Sequence, residues 1–231
     1  MDLDAYRDKT GAVVMKQKII EKINSRKIIA IFRNIDADKC SQAANALYDG
    51  GIELCEVTFN QKEKADEYKS TLDGIRAMIA GKGNRDLYVG AGTVLNVEQV
   101  KLAYQAGATF IITPTCIPEV IKAANELGMV TMPGAYTATE IQTAYDAGAD
   151  FVKIFPASDA GTKYIKAIRG PLSHIPMTAV GGINMENGKE FLKAGVAGLG
   201  IGGNLLNKEY INNGEFDKLT ELAKNYVESI A

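Results

Sequence analysis

From residue 28 onward the chain alternates short apolar runs with amphipathic stretches, and this beat constrains its fold more than any single motif. The apolar runs read as strands at 28–32, 52–58, 88–92, 110–113, 130–132, 151–154, 177–180 and 198–201. The stretches between them read as helices at 37–48, 65–80, 97–106, 118–127, 138–146, 162–168 and 186–194. A helix at 215–230 closes the chain, and another at 16–26 precedes the first strand. Punctuation agrees with this division. Gly51, Gly107, Gly128, Gly148 and Gly195 each stand between a helix and the next strand, where a left-handed residue ends the helix with least strain. Asn96 with Gln99, and Thr137 with Glu140, have the spacing of helix N-caps.

Strands separated by helices are the pattern of parallel βαβ units. Eight such units in about 200 residues is the count of a (β/α)₈ TIM barrel. A doubly wound open sheet is the other arrangement, but no Gly-x-Gly-x-x-Gly fingerprint follows the first strand. No linker or shift of composition interrupts the rhythm. The sequence therefore reads as one domain over 1–231, with an N-terminal extension and helix through 26 and the barrel from 27.

Bulk properties remove several classes of function. A net charge of −2 leaves no basic footprint for nucleic acid. No apolar stretch is long enough to span a bilayer, and the acidic start Met1-Asp2-Leu3-Asp4 suits neither a signal nor a transit peptide. Three cysteines without metal-like spacing, Cys40, Cys55 and Cys116, read as thiols of a reducing cytoplasm. One histidine, His174, cannot build a zinc site, although counting leaves oxygen-ligated magnesium open.

The candidate chemistry begins at Lys153, a lysine inside the apolar run Phe151-Val152-Lys153-Ile154-Phe155-Pro156. Alternation puts Phe151, Lys153 and Phe155 on one face of the strand. An ammonium held there loses hydration, which favours the neutral amine and makes it a nucleophile for Schiff-base chemistry. The plainer reading is a lysine at a strand end that snorkels its head group into water. In a TIM barrel catalytic groups come from the C-terminal ends of the strands. Arg33, Glu56, Thr93, Thr113-Pro114-Thr115 and Lys153 all fall there. If Leu54 fills the barrel, parity points Glu56 inward at the mouth, either as a general acid/base or in a salt bridge to Lys153 or Arg33. Gly181-Gly182 and Gly202-Gly203 follow the seventh and eighth strands, where this architecture recurrently holds phosphate with backbone N–H groups.

These motifs, with Glu56-Val57-Thr58, Gly90-Ala91-Gly92-Thr93-Val94-Leu95, Pro133-Gly134, Thr137-Ala138-Thr139-Glu140, Val152-Lys153-Ile154-Phe155-Pro156-Ala157, Gly181-Gly182-Ile183 and Ile201-Gly202-Gly203, follow one another in a known order. From about residue 27 to the C-terminus the chain resembles the bacterial 2-keto-3-deoxy-6-phosphogluconate / 4-hydroxy-2-oxoglutarate aldolases. The resemblance implies a homotrimeric class I aldolase that acts on a phosphorylated keto acid with neither metal nor other cofactor. It makes Lys153 the Schiff-base lysine and Glu56 the proton shuttle. Arg33 and Thr93 would hold the substrate carboxylate, Phe155 would line the pyruvyl pocket, and Pro114 would border the substrate. Gly181, Gly182, Gly202, Gly203 and Asn204 would cradle the distal phosphate.

Several positions depart from the commonest family pattern. Asn60 stands where many members carry arginine, Val180 where many carry threonine, and Asn204 where a serine is frequent. Thr113-Pro114-Thr115 replaces Ser-Pro-Gly. The lysine and glutamate are kept, so the departures bear on the part of the substrate beyond pyruvate. Two other classes share some of these features. A phosphate-binding barrel epimerase or isomerase would keep the glycine turns without needing the lysine. A sugar-phosphate sensor would bind without cleaving.

Overall fold

The computed structural model describes the backbone of residues 3–231, and side chains from residue 11 onward except those of Ala12 and Ala65. Met1 and Asp2 of the acidic start lie outside the described residues. The strands are β1 (Ile28–Phe32), β2 (Leu54–Thr58), β3 (Tyr88–Gly92), β4 (Phe110–Ile112), β5 (Val130–Met132), β6 (Gly134–Ala135), β7 (Val152–Ile154), β8 (Met177–Val180) and β9 (Gly198–Ile201). The helices are α1 (Leu3–Arg26), α2 (Ala37–Asp49), α3 (Lys69–Gly81), α4 (Val97–Gln105), α5 (Pro118–Glu126), α6 (Ala138–Asp146), α7 (Ala157–Arg169), α8 (Gly188–Lys193), α9 (Lys208–Asn213) and α10 (Phe216–Ile230). Among the described residues no helix is long and apolar enough to cross a membrane.

All strand pairings are parallel, in the order β5-β4-β3-β2-β1-β9-β8-β7-β6. β5 and β6 are two halves of one extended segment parted by Pro133, which has no N–H to give to a ladder. The first half pairs with β4 and the second with β7. Across that seam Phe151 N–H donates to the Thr131 carbonyl at 3.1 Å and Lys153 N–H to the Pro133 carbonyl at 2.8 Å. The sheet thus closes on itself as the eight-stranded TIM barrel that the βα count required.

Parity sorts the core into two shells. Outward residues such as Ala30, Cys55, Val57, Ile111 and Val152 pack beneath the helices. Inward residues Ile29, Leu54, Tyr88, Phe110, Ile112, Val130, Met132 and Phe151 fill the barrel. Large and small side chains complement each other there: a Cβ on Gly90 would run into the Phe110 ring. α1 closes the N-terminal end of the barrel. Its Ile19 and Ile23 are fully buried in the interior cluster, each burial contributing roughly 1.5–3 kcal/mol. Ion pairs orient the helix over that end. Lys16 Nζ meets Asp150 at 2.9 Å, Arg26 Nε meets Glu53 at 2.7 Å, and Lys22 pairs with both Glu53 and Asp86.

Some element boundaries differ from the sequence reading. The second strand starts at Leu54 rather than 52, although the Glu53 carbonyl already accepts from Tyr88 N–H at 2.9 Å. The stretch at 65–80 divides into a 3₁₀ helix (Gln61–Asp66) and α3, separated by left-handed Glu67 and Tyr68. α7 begins at Ala157 and kinks at Gly161. α8 begins at Gly188 because Asn184 and Asn187 tie the preceding residues into a turn. α9 is an element the periodicity did not announce.

Candidate active site

A cavity of about 370 Å³ opens at the C-terminal ends of β1, β2, β7, β8 and β9. It brings together Arg33, Glu56, Lys153, Phe155, Gly181, Gly182, Gly202, Gly203 and Asn204 from the sequence reading. Thr93 and Pro114 stand at neighbouring strand ends, outside the residues that line it. Thr93 holds a left-handed backbone (φ 56°), unusual for a residue other than glycine, and its carbonyl accepts from Gln61 Nε2 at 2.8 Å. Sequence reasoning overlooked Ile31, Ile183 and Gly200 in the lining, and Val180 lines it as well.

Lys153 sits mid-strand in β7 and is 6% exposed, so it does not snorkel. Its Nζ lies 4.7 Å from the centroid of the Phe155 ring. Burial pushes its pKa below the ordinary lysine value; the Arg33 charge adds to the fall, and the Glu56 carboxylate opposes it. Glu56 projects from β2 and is 1% exposed. Burial pushes its carboxyl up to about 7, against the pull of Lys153 and Arg33. Its Oε2 is buried without a hydrogen-bond partner among the described residues. The salt bridge from Glu56 to Lys153 or Arg33 is not formed among the described residues. Desolvation therefore dominates attraction at both groups, and each is driven toward its uncharged form. A neutral amine beside a carboxyl that titrates near neutrality can add to a carbonyl and move the accompanying protons.

The glycines around this pair have separate reasons. A Cβ on Gly92, the inward residue that ends β3, would overlap Oε1 of Glu56, so glycine at that position is what admits the carboxyl. The motif was visible in the sequence, but its purpose depends on the β2–β3 register, which pairs Glu56 with Gly90. Gly181 and Gly182 have φ of 94° and 73°, as the turn after β8 requires. At Gly202 and Gly203 the backbone stays out of the left-handed region. Gly203 instead leaves the approach bare, since a Cβ there would meet nothing within 4 Å. The Gly202 carbonyl accepts from Leu205 and Leu206 N–H at 2.9 Å, which winds this loop into one helical turn. Among the described residues the N–H groups of Gly182, Ile183, Gly203 and Asn204 donate to no protein acceptor. Unpaired N–H groups converging from two loops form a place for an anion. Asn204 spends one amide proton on the Ile183 carbonyl at 3.0 Å, which leaves its second amide proton and its backbone N–H free.

Residues 19–222 match the family model described as KDPG and KHG aldolase. The chain belongs to that aldolase family. It is 40% identical to the 2-dehydro-3-deoxy-6-phosphogalactonate aldolase of Escherichia coli K12 over 77% of this chain and 83% of that one. It is 32% identical to the 2-dehydro-3-deoxy-phosphogluconate aldolase of Haemophilus influenzae over 93% of this chain and 97% of that one. Among solved structures, the KDPG aldolase of Legionella pneumophila superposes with a TM-score of 0.78 at 26% identity. The match covers 89% of this chain and 96% of that one. That structure holds pyruvate captured at low pH as a covalent carbinolamine intermediate.

Within this aldolase chain the space kept by Gly92 leads to a test. Gly92→Ala is expected to destabilise the protein by about 1–3 kcal/mol through overpacking. Its turnover should fall much more than its capacity to form a pyruvate adduct, since the displaced group is Glu56 rather than Lys153. Denaturant unfolding beside adduct mass spectrometry reads both effects. Wild-type stability and turnover in the variant would show that the carboxyl does not need this gap.

Proposed function

We propose that this chain is a class I aldolase that cleaves a 2-keto-3-deoxy-6-phospho sugar acid to pyruvate and glyceraldehyde 3-phosphate through a Schiff base on Lys153. One observation carries the reading: a buried, neutral-leaning amine and a buried carboxyl share a cavity with two glycine loops that present free N–H groups. In the reaction, Nζ of Lys153 attacks the C2 carbonyl and forms a carbinolamine. Glu56, protonated, gives its proton to the departing hydroxyl; water leaves and a protonated imine remains. Glu56, now a carboxylate, takes the proton of the C4 hydroxyl as the C3–C4 bond breaks. The bonding pair moves into the imine to give an enamine, and the aldehyde departs. Protonation at C3 and hydrolysis of the imine release pyruvate and restore the amine.

The remaining side chains take the roles that their positions suit. Arg33 offers a planar fork to the substrate carboxylate, with Thr93 and Pro114 beside it at the mouth. Phe155 packs against the pyruvyl methyl. Gly181, Gly182, Gly202, Gly203 and Asn204 face the distal phosphate. The reading extends to one catalytic domain over residues 1–231, with the barrel from 27, assembled as a homotrimer in the cytoplasm, as the family resemblance implies.

A pyruvate-release assay tests the proposal with the phosphorylated gluconate and galactonate substrates and with 4-hydroxy-2-oxoglutarate, each with borohydride trapping in parallel. Pyruvate release from at least one phosphorylated substrate, with a trapped adduct, is expected. Release from none, with no adduct, removes the reading. Turnover of 4-hydroxy-2-oxoglutarate to pyruvate and glyoxylate would extend the substrate range to a shorter keto acid.

A further inference from the structure

The turn after β8 has two adjacent glycines, and two adjacent glycines leave a peptide free to flip. If an N–H from this turn is to face an anion, something must hold the peptide in one orientation. The side chain of Asn187 reaches both ends of the turn. Its Nδ2 donates to the Gly182 carbonyl at 2.8 Å, and its Oδ1 accepts from the Asn184 N–H at 2.9 Å. Asn184 answers in kind: its Oδ1 accepts from the N–H groups of Glu186 and Asn187, both at 3.0 Å. The carbonyl between these two grips, that of Ile183, is held by Asn204 Nδ2 from the loop after β9.

In a trans peptide a carbonyl and the following N–H point in opposite directions. Holding the Gly182 carbonyl toward Asn187, which is outside the cavity lining, turns the Ile183 N–H the other way, toward the cavity that Ile183 lines. That N–H has no protein acceptor among the described residues. We propose that Asn187 is a positioning residue of the anion-binding turn, fixing the Gly182–Ile183 peptide so that its N–H meets the substrate phosphate. Asn187 does not touch the substrate; it acts through Gly182. The proposal rests on the reading that the substrate carries a distal phosphate.

The experiment compares steady-state kinetics on a 2-keto-3-deoxy-6-phospho sugar acid and on the same acid without its phosphate, for wild type, Asn187→Ala and Asn187→Asp. Wild type should show a lower KM for the phosphorylated acid. Asn187→Ala should raise that KM about 10- to 100-fold, the scale of a lost hydrogen bond to a charged group, with kcat within about threefold. Its KM for the unphosphorylated acid should stay near the wild-type value, and pyruvate should still be trapped by borohydride, which certifies the fold. Asn187→Asp keeps an acceptor for Asn184 and loses the donor to Gly182, so it should match the alanine variant. An aspartate variant with wild-type KM would overturn the proposal, as would equal rises of KM on both substrates. A wild type indifferent to the phosphate would remove the parent reading, and a discriminating wild type with an unaffected Asn187→Ala would remove this proposal alone.

Discussion

Lys153→Met is expected to lower kcat on the order of 10⁵- to 10⁶-fold, the scale seen when a covalent nucleophile is removed. Borohydride with pyruvate should add mass to the wild-type protein and none to the variant. Equal labelling of both would take Lys153 out of its role. The same variant should unfold at a higher temperature, because native proteins hold destabilising groups at reactive centres. The sign follows from linkage. The amine has a lower pKa in the fold than in the unfolded chain, so the unfolded chain binds its proton more readily. The resulting penalty is full at and below the lowered pKa and fades as pH rises toward about 10.4. A methionine of similar volume has no such penalty, and its advantage should shrink along the same pH range. A variant less stable than wild type at neutral pH would show that the lysine is satisfied at rest.

Glu56→Gln should still reach the pyruvate adduct, more slowly because water must then supply the proton for the departing hydroxyl, while its turnover drops by roughly 10²- to 10⁴-fold, the contribution of a positioned acid or base. Near-normal turnover would mean that another group carries the protons. The pH dependence adds a second measurement. In the wild type, kcat/KM should fall as pH rises through about 7, where the free enzyme loses the Glu56 proton that the departing hydroxyl needs, as an apparent value that belongs to the pair. In the glutamine variant that limb should disappear, because an amide has no such proton to lose, and the lysine pKa should lie lower still without the carboxylate that partly holds it up. Stability should respond too. The Glu56 carboxyl titrates higher in the fold than in the unfolded chain, so its stabilising effect is complete below about 4.3 and is lost as pH rises through about 7. Denaturant midpoints measured between those limits should slope downward more steeply for wild type than for the glutamine variant.

Most strands were legible because their apolar residues are consecutive and bounded by glycine or polar residues. The runs at β1, β3, β5, β8 and β9 have the limits that the sequence suggested. The inward face of Glu56 followed from the parity of Leu54, which does fill the barrel. Harder to read were features set by distant packing. Nothing local announces the left-handed Glu67 and Tyr68; Tyr68 is buried with its ring edge-on to Phe59 at 5.1 Å, and that contact holds the break. α9 did leave a trace, with Asn207 as its N-cap and left-handed Gly214 at its end, but six residues are too few for periodicity to show. The site divided similarly. Lys153 and Glu56 stand out because each breaks an apolar run. The gap kept by Gly92 and the bond from Asn187 to Gly182 are invisible until the neighbouring strand and turn are in place.

The helix that precedes the barrel has a consequence for the chemistry at the opposite end. With Ile19 and Ile23 seated in its floor, the barrel is a blind well, and the stacked layers up to Phe151 keep a low-permittivity column beneath the lysine. The lowered pKa of Lys153 therefore depends on the whole vessel. Side chains from residues 19 and 23, far from any substrate, help deny an ammonium the solvent that it would need to persist.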